Sequence, residues 1–275
     1  MGKLGLIAGG GGLPVGIAED CRARGRPVFV VRLRGMADPA LLTFENEEAG
    51  VAELGRCVAA LRRAGCAKVC FAGIVRRPSD FMDLKPDLHA LRHLPGVIAA
   101  ARHGDDALLR AILGVFEAEG FEVEGVGEAG AGLKLGPGPV GRLAPGKEHL
   151  KDIDKALEAA REIGRTDVAQ GAVARDGEVI AVESRDGTDA MLARLTPLGD
   201  RRSGVLAKLP KPAQDRRVDL PTIGVRTIEH AAAAGLAGIV GEADGLLVVD
   251  RPAVRETAER LGLFIVGLGG RAEAP

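Results

Sequence analysis

Four consecutive glycines, at positions 9–12, stand between a short apolar run and a segment with helical spacing. Main-chain N–H groups that open a helix and carry no side chain can bind the oxygens of a phosphate. The spacing does not match G-x-G-x-x-G, because Pro14 or Val15 takes the place of the third glycine, and no G-x-x-x-x-G-K-[ST] motif occurs. We expect a nucleotide or substrate contact here, with a tight strand-to-helix turn as the alternative. The residues assigned to this contact are Gly9, Gly10, Gly11, Gly12 and Leu13.

The segment 201–221 is basic and rich in proline: it contains six Lys or Arg, three Pro and two Asp. Proline stiffens an irregular loop, and Lys and Arg side chains bind phosphate oxygens. The two carboxylates, Asp215 and Asp219, suit a divalent cation that bridges the same phosphates. We expect Lys208, Lys211 and Arg217 to stabilise phosphate oxygens, and a solvated basic loop is the alternative.

The triplet Gly187-Thr188-Asp189 follows a predicted strand and opens a predicted helix. A helix N-terminus favours anions, so the triplet is a candidate anion or metal site, with Asp189 as a metal ligand. The alternative is that Thr188 or Asp189 only caps the helix. Upstream, Gln170 and Glu183 belong to the two strands of a predicted hairpin and could face the same cleft.

Two further positions stand where an α/β sheet binds ligands or starts a helix. Arg76 follows the third predicted strand, at the expected carboxyl edge of the sheet, and a solvated turn is its alternative. Asp105 opens a helix, so it is first of all a candidate cap. No H-E-x-x-H or G-x-S-x-G motif occurs, which leaves zinc-dependent and covalent catalysis without support.

The cysteines and the N-terminus indicate a cytoplasmic protein. The four cysteines form no C-x-x-C pair and stand among apolar or helical neighbours, so we expect them to be reduced and structural. The chain opens directly into a strand-like run rather than an apolar signal region, and its longest uncharged apolar run, 231–241, is too short to span a bilayer. Membrane contact is expected to be peripheral at most, on the cytoplasmic face of the inner membrane.

Strand and helix patterns alternate along the first half of the chain, which predicts βαβ units and a mainly parallel, Rossmann-like sheet. Glycine and proline then break the pattern, and a second α/β segment of mixed character follows. The expected fold is therefore α/β with two domains: an N-terminal domain over 1–132, a linker or hinge over 133–147, and a C-terminal catalytic domain over 148–275. The predicted strands are Leu4–Ala8, Pro27–Leu33, Lys68–Ala72, Phe121–Gly125, Val168–Ala174, Glu178–Glu183, Gly204–Leu209, Ala237–Val240, Leu246–Val249 and Leu263–Gly267.

Composition narrows the class of ligand. The 275 residues include 40 Gly, 7 Phe, no Trp and no Tyr, and the net charge is −1. A balanced charge and few aromatic rings give no reason to expect nucleic acid as a partner. The interior must be aliphatic, which is compatible with holding acyl chains.

Taken together, several segments resemble one known family over nearly the whole length. They are Leu4-Gly5-Leu6-Ile7-Ala8-Gly9-Gly10-Gly11, Gly104-Asp105-Asp106-Ala107-Leu108-Leu109-Arg110, Glu183-Ser184-Arg185-Asp186-Gly187-Thr188-Asp189-Ala190-Met191-Leu192, Lys208-Leu209-Pro210-Lys211-Pro212 and Asp219-Leu220-Pro221-Thr222-Ile223-Gly224. The chain resembles the LpxI family of UDP-2,3-diacylglucosamine pyrophosphatases. Between Met191 and Gly204 it departs from the family, because that stretch is short and polar, which puts contacts from this loop in doubt.

The resemblance implies two domains that close around the substrate and a Mg²⁺-dependent hydrolysis of UDP-2,3-diacylglucosamine. The products would be UMP and 2,3-diacylglucosamine 1-phosphate (lipid X), a lipid A precursor, with attack at the phosphorus nearer the sugar. It also implies that Asp219 is the key catalytic carboxylate, and a homodimer. Another Mg²⁺-dependent nucleotide-sugar hydrolase, or a non-catalytic nucleotide- or lipid-binding protein, remains the alternative.

With the resemblance included, the predicted site has three groups of residues. The catalytic residues are Asp219, Lys208 and Lys211, and the metal ligands are Asp219 and Asp189. The substrate contacts are Gly9, Gly10, Gly11, Gly12, Leu13, Arg76, Asp105, Gly187, Thr188, Gln214 and Arg217.

Overall fold

The computed structural model describes residues 2–75, 87, 90, 96–97, 99–100, 102, 105–166, 168–197, 202–212 and 220–269. Within these ranges the chain divides into two compact units. The first unit comprises the described residues up to Gly132, and the second begins at Leu133 and contains those described after it.

The described part of the first unit is a five-stranded, fully parallel sheet with the order β3-β2-β1-β4-β5. This is the order of a doubly wound sheet, in which the strand order reverses beside the first strand. Its strands are β1 Leu4–Ala8, β2 Val28–Leu33, β3 Glu45–Ala49, β4 Lys68–Ala72 and β5 Glu122–Val123. Its helices are α1 Leu13–Ala23, α2 Leu54–Arg63, α3 Asp105–Ala118 and α4 Val126–Ala129.

Helices cover both faces of this sheet. The apolar sides of α2 and α3 form one core with β2, β1 and β4, around the fully buried Leu61 and Phe116. On the other face α1 packs against α4, where the Cys21 thiol donates to the carbonyl of Ala129. Burial of both faces explains the continuous apolar sequence of β1, because a central parallel strand has no exposed side. The predicted α/β class with a mainly parallel N-terminal sheet is confirmed.

The edge strand β3 was not among the predicted strands, and this omission is wrong. Its sequence, Glu-Asn-Glu-Glu-Ala, has neither apolar alternation nor β-branched residues. Arginines at the end of β2 stabilise it instead: Arg32 donates to Asn46 Oδ1 at 2.8 Å, and Arg34 donates to Glu48 Oε1 at 3.0 Å. The strand therefore forms through pairing with β2 and charge complementarity.

A buried ion pair joins the start of β2 to the end of β5. Arg26 donates to both carboxylate oxygens of Glu124, at 2.5 and 2.8 Å, and each side chain is about 5% exposed. Burial alone raises the pKa of Glu124, but the hydrogen bonds and charge of Arg26 outweigh it, so this pKa lies below its ordinary value. The pair is a bidentate contact between distant parts of the chain, and it satisfies two groups that burial would otherwise destabilise.

We expect Glu124→Gln to lower the free energy of unfolding by about 3 kcal/mol near pH 7, because it leaves the Arg26 guanidinium buried without its counter-charge. Since the folded pKa of Glu124 is depressed, its contribution is present above the unfolded carboxyl pKa of about 4.3 and is lost as the pH falls through the lower folded value. Urea unfolding at pH 7 and below pH 4 should therefore show the difference from the parent protein shrinking with acid. Glu122→Gln, at an exposed carboxylate of the same strand, is the control; an equal loss for both variants would contradict the role of the pair.

The described part of the second unit has a six-stranded mixed sheet with the order β6-β13-β11-β9-β7-β8, beside a parallel pair, β10-β12. Strands β13, β11 and β9 are parallel, while β6, β7 and β8 join by antiparallel pairing. The strands are β6 Gly138–Pro139, β7 Gly171–Arg175, β8 Glu178–Val182, β9 Val205–Lys208, β10 Thr222–Ile223, β11 Gly238–Glu242, β12 Leu247–Val248 and β13 Phe264–Leu268. The helices are α5 Leu150–Arg165, α6 Gly187–Ala193, α7 Val225–Ala233 and α8 Arg251–Leu261. The predicted mixed character of the C-terminal sheet is confirmed.

Two apolar cores lie on the two faces of this mixed sheet. Helix α5 covers one face through Ile153, Ala156 and Ala160, whereas α6, α7 and α8 cover the other. The hairpin predicted from Val168–Ala174 and Glu178–Glu183 is confirmed. Its turn is at Asp176-Gly177, a pair typical of tight hairpin turns, and both residues have positive φ, 53° and 78°. Among the described helices, none is long and apolar enough to cross a membrane.

The glycine- and proline-rich segment predicted as a linker, 133–147, contributes residues to the second unit. Leu135 is fully buried in its core, and β6 pairs with β13. Position 267, which faces this segment from β13, requires glycine, because a Cβ there would clash with the carbonyl oxygen of Gly136. The first part of the segment is therefore packed structure.

Candidate functional site

Three strand ends meet at one edge of the mixed sheet. Strand β7 begins at Gly171, directly opposite Lys208 at the end of β9, and Glu183 follows the end of β8. The main chain closes this corner, because Glu183 N–H donates to the carbonyl of Gly171 at 2.9 Å and Leu209 N–H donates to the carbonyl of Gln170 at 2.9 Å. We call this group, comprising Gln170, Glu183, Thr188 and Lys208, the β9-end cluster.

Three polar side chains of the β9-end cluster are linked by hydrogen bonds. Lys208 Nζ donates to Thr188 Oγ1 at 2.8 Å, and Thr188 Oγ1 donates to Glu183 Oε1 at 2.6 Å. Lys208 also donates to the carbonyl of Thr222 at 3.3 Å. All three side chains are buried, with relative exposures of 5% for Lys208, 8% for Thr188 and 7% for Glu183. The sequence-predicted residues Lys208 and Thr188 are thus brought together, 20 positions apart.

Gln170 is the fourth member of the β9-end cluster. Its N–H donates to Glu183 Oε2 at 3.1 Å. Its side-chain oxygen Oε1 is buried and accepts no hydrogen bond within the part of the chain that the structure describes. A buried amide oxygen without a donor is uncommon, so this atom is suited to accept a hydrogen bond from a ligand. Gln170 and Glu183 are thus in contact, and the expectation that they face one cleft stays a prediction.

The interpretation of Thr188 or Asp189 as a helix cap is wrong. Helix α6 begins at Gly187 with Asp186 in the cap position, and no side chain accepts a capping hydrogen bond there. Gly187 has a φ of 87°, a conformation that glycine adopts without strain, and the hydroxyl of the next residue, Thr188, donates to Glu183. The hydroxyl of Thr188 therefore hydrogen-bonds within the β9-end cluster and does not cap the helix.

The carboxylate of Asp189 contacts two side chains of helix α7. Arg226 donates to Asp189 Oδ2 at 2.8 Å, and His230 Nδ1 lies 3.3 Å from Asp189 Oδ1. A divalent cation at this carboxylate would lie beside the Arg226 guanidinium, so Asp189 would have to leave Arg226 before it could bind a metal ion. The described arrangement of Asp189 does not fit a Mg²⁺ ligand, and its assignment stays a prediction. Within the described ranges no three His, Cys, Asp or Glu side chains are grouped as a metal site.

The glycine turn of the first unit lies at the carboxyl end of β1, next to β4, where the strand order reverses. Gly10 exchanges two main-chain hydrogen bonds of 2.8 Å with Ile74, in the loop after β4. A Cβ on Gly9 would lie 2.7 Å from the Ile74 carbonyl oxygen, and one on Gly73 would lie 2.6 Å from the Gly10 carbonyl oxygen. Gly9 and Gly10 are thus explained by the close approach of two loops.

The second half of the glycine turn is open to solvent. Gly11 has a φ of 85° and is exposed, Gly12 is exposed in the cap position of α1, and Leu13 begins the helix. The first turn of α1 contains no acidic residue, and its leading N–H groups have no intrahelical partners. This is the edge of a doubly wound sheet where ligands bind, so Gly11, Gly12 and Leu13 stay predicted substrate contacts.

The remaining predicted residues divide into two groups. Lys211 is half-buried and lies three residues after β9, and Asp105 is the first residue of α3, although its side chain falls outside the described part. Outside the described residues lie Arg76, Gln214, Arg217 and Asp219, together with the remaining carboxylate Asp215. Most of the segment 88–101, whose sequence pattern predicts a helix, also lies outside them.

The four cysteines do not form a reactive site. Cys21, Cys57, Cys66 and Cys70 are buried and free of disulfides. Burial raises the pKa of Cys57 to about 12 and raises the pKa of the other three thiols as well. Since the thiolate is the nucleophile, these side chains are structural, as the sequence predicts.

A polar cavity of about 220 Å³ lies away from the β9-end cluster. It is lined by residues that include His149, Asp152, Asp176 and Arg202. Asp176 belongs to the turn after β7, whereas Gly171 and the cluster lie at the start of that strand. The cavity is smaller than the roughly 300–1,000 Å³ of ordinary ligand pockets and does not join the predicted site residues.

Comparison with known proteins matches both halves of the chain to one family. The LpxI N-terminal domain matches residues 3–132, and the LpxI C-terminal domain matches residues 136–266. A relative from Caulobacter vibrioides, named UDP-2,3-diacylglucosamine pyrophosphatase LpxI, is 56% identical over 275 residues that cover 98% of each chain. A solved structure of the precorrin-6A reductase CobK aligns over 100% of this chain and 90% of its own at 14% identity, with a TM-score of 0.32, which is too low to establish a common fold. The resemblance noted in the sequence is confirmed: the chain belongs to the LpxI family.

Proposed function

We propose that this protein hydrolyses the diphosphate of UDP-2,3-diacylglucosamine to UMP and 2,3-diacylglucosamine 1-phosphate. The observation that carries the proposal is 56% identity, over 98% of both chains, to a relative named for this activity. At that identity over the full length, both family domains are retained and the β9-end cluster lies in the C-terminal one.

The chemistry of the β9-end cluster suits a diphosphate. Adjacent phosphate groups carry negative charge that repels an attacking water oxygen, and the barrier falls when a fixed cation faces that charge. Lys208 supplies an ammonium group whose position is set by Thr188 and by the carbonyl of Thr222. In our proposal Lys208 contacts phosphate oxygens, Lys211 and Arg217 add positive charge, and water attacks the phosphorus nearer the sugar so that UMP leaves.

Mg²⁺ is the proposed cofactor, with Asp219 as its predicted ligand. When bound, the ion would neutralise phosphate charge and favour a nucleophilic water. The described residues do not supply the rest of its coordination, because Asp189 is paired with Arg226 and His230. Proteins commonly bind Mg²⁺ through one or two carboxylates together with substrate phosphates, so a single protein carboxylate is compatible with the proposal.

The test compares the diacylated substrate with UDP-N-acetylglucosamine at equal concentration, with UMP release as the readout. We expect UMP from UDP-2,3-diacylglucosamine and at most traces from UDP-N-acetylglucosamine. We also expect loss of the activity in excess EDTA, with recovery on Mg²⁺ addition. Equal turnover of both sugars would favour a general nucleotide-sugar hydrolase. Binding of the acylated substrate without UMP release would contradict an enzymatic role. Unchanged turnover in excess EDTA would exclude Mg²⁺ from the mechanism.

A further inference from the structure

Glu183 is a buried carboxylate with no assigned part in the reaction. It is 7% exposed and lies at the start of the segment that joins β8 to α6. A charged side chain in such a position must be compensated by hydrogen bonds or by an opposite charge. Both of its oxygens have donors: Oε1 accepts from the Thr188 hydroxyl at 2.6 Å and Oε2 accepts from the Gln170 N–H at 3.1 Å.

The hydrogen bonds between Glu183 and Lys208 have a defined direction. A carboxylate can only accept and an ammonium can only donate, whereas a hydroxyl has one proton to donate and lone pairs that accept. Because Thr188 gives its proton to Glu183, its lone pairs are turned toward Lys208 Nζ, 2.8 Å away. The carboxylate therefore sets the orientation in which the Thr188 oxygen accepts a hydrogen bond from the Lys208 ammonium. Each of these two hydrogen bonds has one charged partner, which strengthens it.

The backbone around Glu183 leaves its carboxylate little freedom. A Cβ on Gly171 would lie 3.0 Å from Glu183 Oε2, so glycine at this position leaves room for the carboxylate against β7. Glu183 N–H also donates to the carbonyl of Gly171 at 2.9 Å. Main chain and side chain of Glu183 are thus both attached to the start of β7, directly opposite Lys208.

We propose that Glu183 is a positioning residue, which acts through the Thr188 hydroxyl to hold the Lys208 ammonium in place for the substrate diphosphate. The inference rests on the proposed function, because it assigns Lys208 to the phosphates. Glu183 itself touches neither substrate nor metal in this assignment. A role in folding alone would make its replacement lower stability without changing turnover per folded molecule.

The first test uses variants that keep shape and change one property. Glu183→Gln removes the charge, Thr188→Val removes the hydroxyl, and Thr188→Ser restores it; Glu178→Gln, at an exposed carboxylate on β8, is the control. We expect Glu183→Gln and Thr188→Val each to lower kcat about 10- to 100-fold, the usual loss for a hydrogen bond to a charged group, with a smaller change in KM. Thr188→Ser, which keeps the hydroxyl, should recover kcat relative to Thr188→Val, and Glu178→Gln should stay within about threefold of the parent protein.

The second test places Glu183→Gln in a Lys208→Met background. If Glu183 acts through Lys208, the added change should alter kcat by less than about twofold there, because its effect has already been removed. Urea unfolding of the parent protein, the two single variants and the double variant should show a smaller loss of stability from Glu183→Gln in the Lys208→Met background than in the parent protein.

Separate outcomes overturn the two proposals. If the parent protein releases no UMP, the proposed function fails. If it is active and Glu183→Gln retains full kcat, or lowers kcat equally in both backgrounds, the positioning role fails while the function stands. If Glu183→Gln does not fold, the comparison of Thr188→Val with Thr188→Ser decides, and equal kcat for these two would overturn the positioning role.

Discussion

Lys208→Met is expected to lower kcat for UMP release by about 10²- to 10³-fold, the loss that follows removal of one fixed group that stabilises transition-state charge. Lys208 is 5% exposed and its ammonium is held by Thr188 and by the Thr222 carbonyl, so water cannot readily replace it. Methionine has similar length and no charge, which preserves the packing of β9. Steady-state kinetics on the acylated substrate, with circular dichroism to verify the fold, provide the measurement.

The matched control for this change is Lys155→Met, at an exposed lysine of α5 whose partner is Glu158. We expect it to leave kcat unchanged, because surface ion pairs contribute little and the side chain of Lys155 is exposed. A parent-like kcat for Lys208→Met would exclude the β9-end cluster from the reaction. An equal loss in both variants would indicate a general effect on the protein.

Asp219→Asn is expected to lower kcat by about 10²- to 10⁴-fold, the range associated with a positioned acid–base group, and to abolish stimulation by Mg²⁺. Asparagine keeps the size of the side chain and removes the charge that would bind a metal or orient water. KM should change little, because the basic side chains proposed to bind phosphate remain. Initial rates of Asp219→Asn and of the parent protein, measured over a Mg²⁺ titration, provide the test.

Asp154→Asn, at an exposed carboxylate on α5, is the control for Asp219→Asn. It should retain the parent rate and the parent response to Mg²⁺. Retention of both properties by Asp219→Asn would remove this residue from the mechanism. A lowered rate that still rises with Mg²⁺ would place the metal ligand elsewhere.

Strand β1, buried on both faces, was predictable, whereas the edge strand β3 was not. The wholly buried β1 is an apolar run, and the Asp176-Gly177 turn marks the β7–β8 hairpin. Strand β3 has four polar residues out of five, because an edge strand needs apolar side chains on few positions. Its pairing depends on Arg32 and Arg34, which are distant in sequence, so local patterns contain no signal for it.

The candidate site was predictable in its residue types but not in its pairings. Lys208 and Thr188 were singled out by basic charge and by position before a helix, and the structure joins them. The helix cap, given as the alternative role for Thr188, is wrong, because a contact with Glu183 takes its hydroxyl. Asp189 pairs with Arg226, 37 positions away, and no spacing rule reveals such a contact between two helices. In each case a tertiary partner decides what a polar side chain does.

The most direct measurement for the proposed reaction is hydrolysis of UDP-2,3-diacylglucosamine in ¹⁸O-labelled water, with both products analysed by mass spectrometry. Cleavage of the diphosphate by attack at the phosphorus nearer the sugar predicts equal amounts of UMP and 2,3-diacylglucosamine 1-phosphate, with one ¹⁸O atom in the sugar phosphate and none in UMP. Label in UMP would contradict the proposed point of attack. Formation of UDP and free sugar, or no product at all, would contradict diphosphate hydrolysis by this protein.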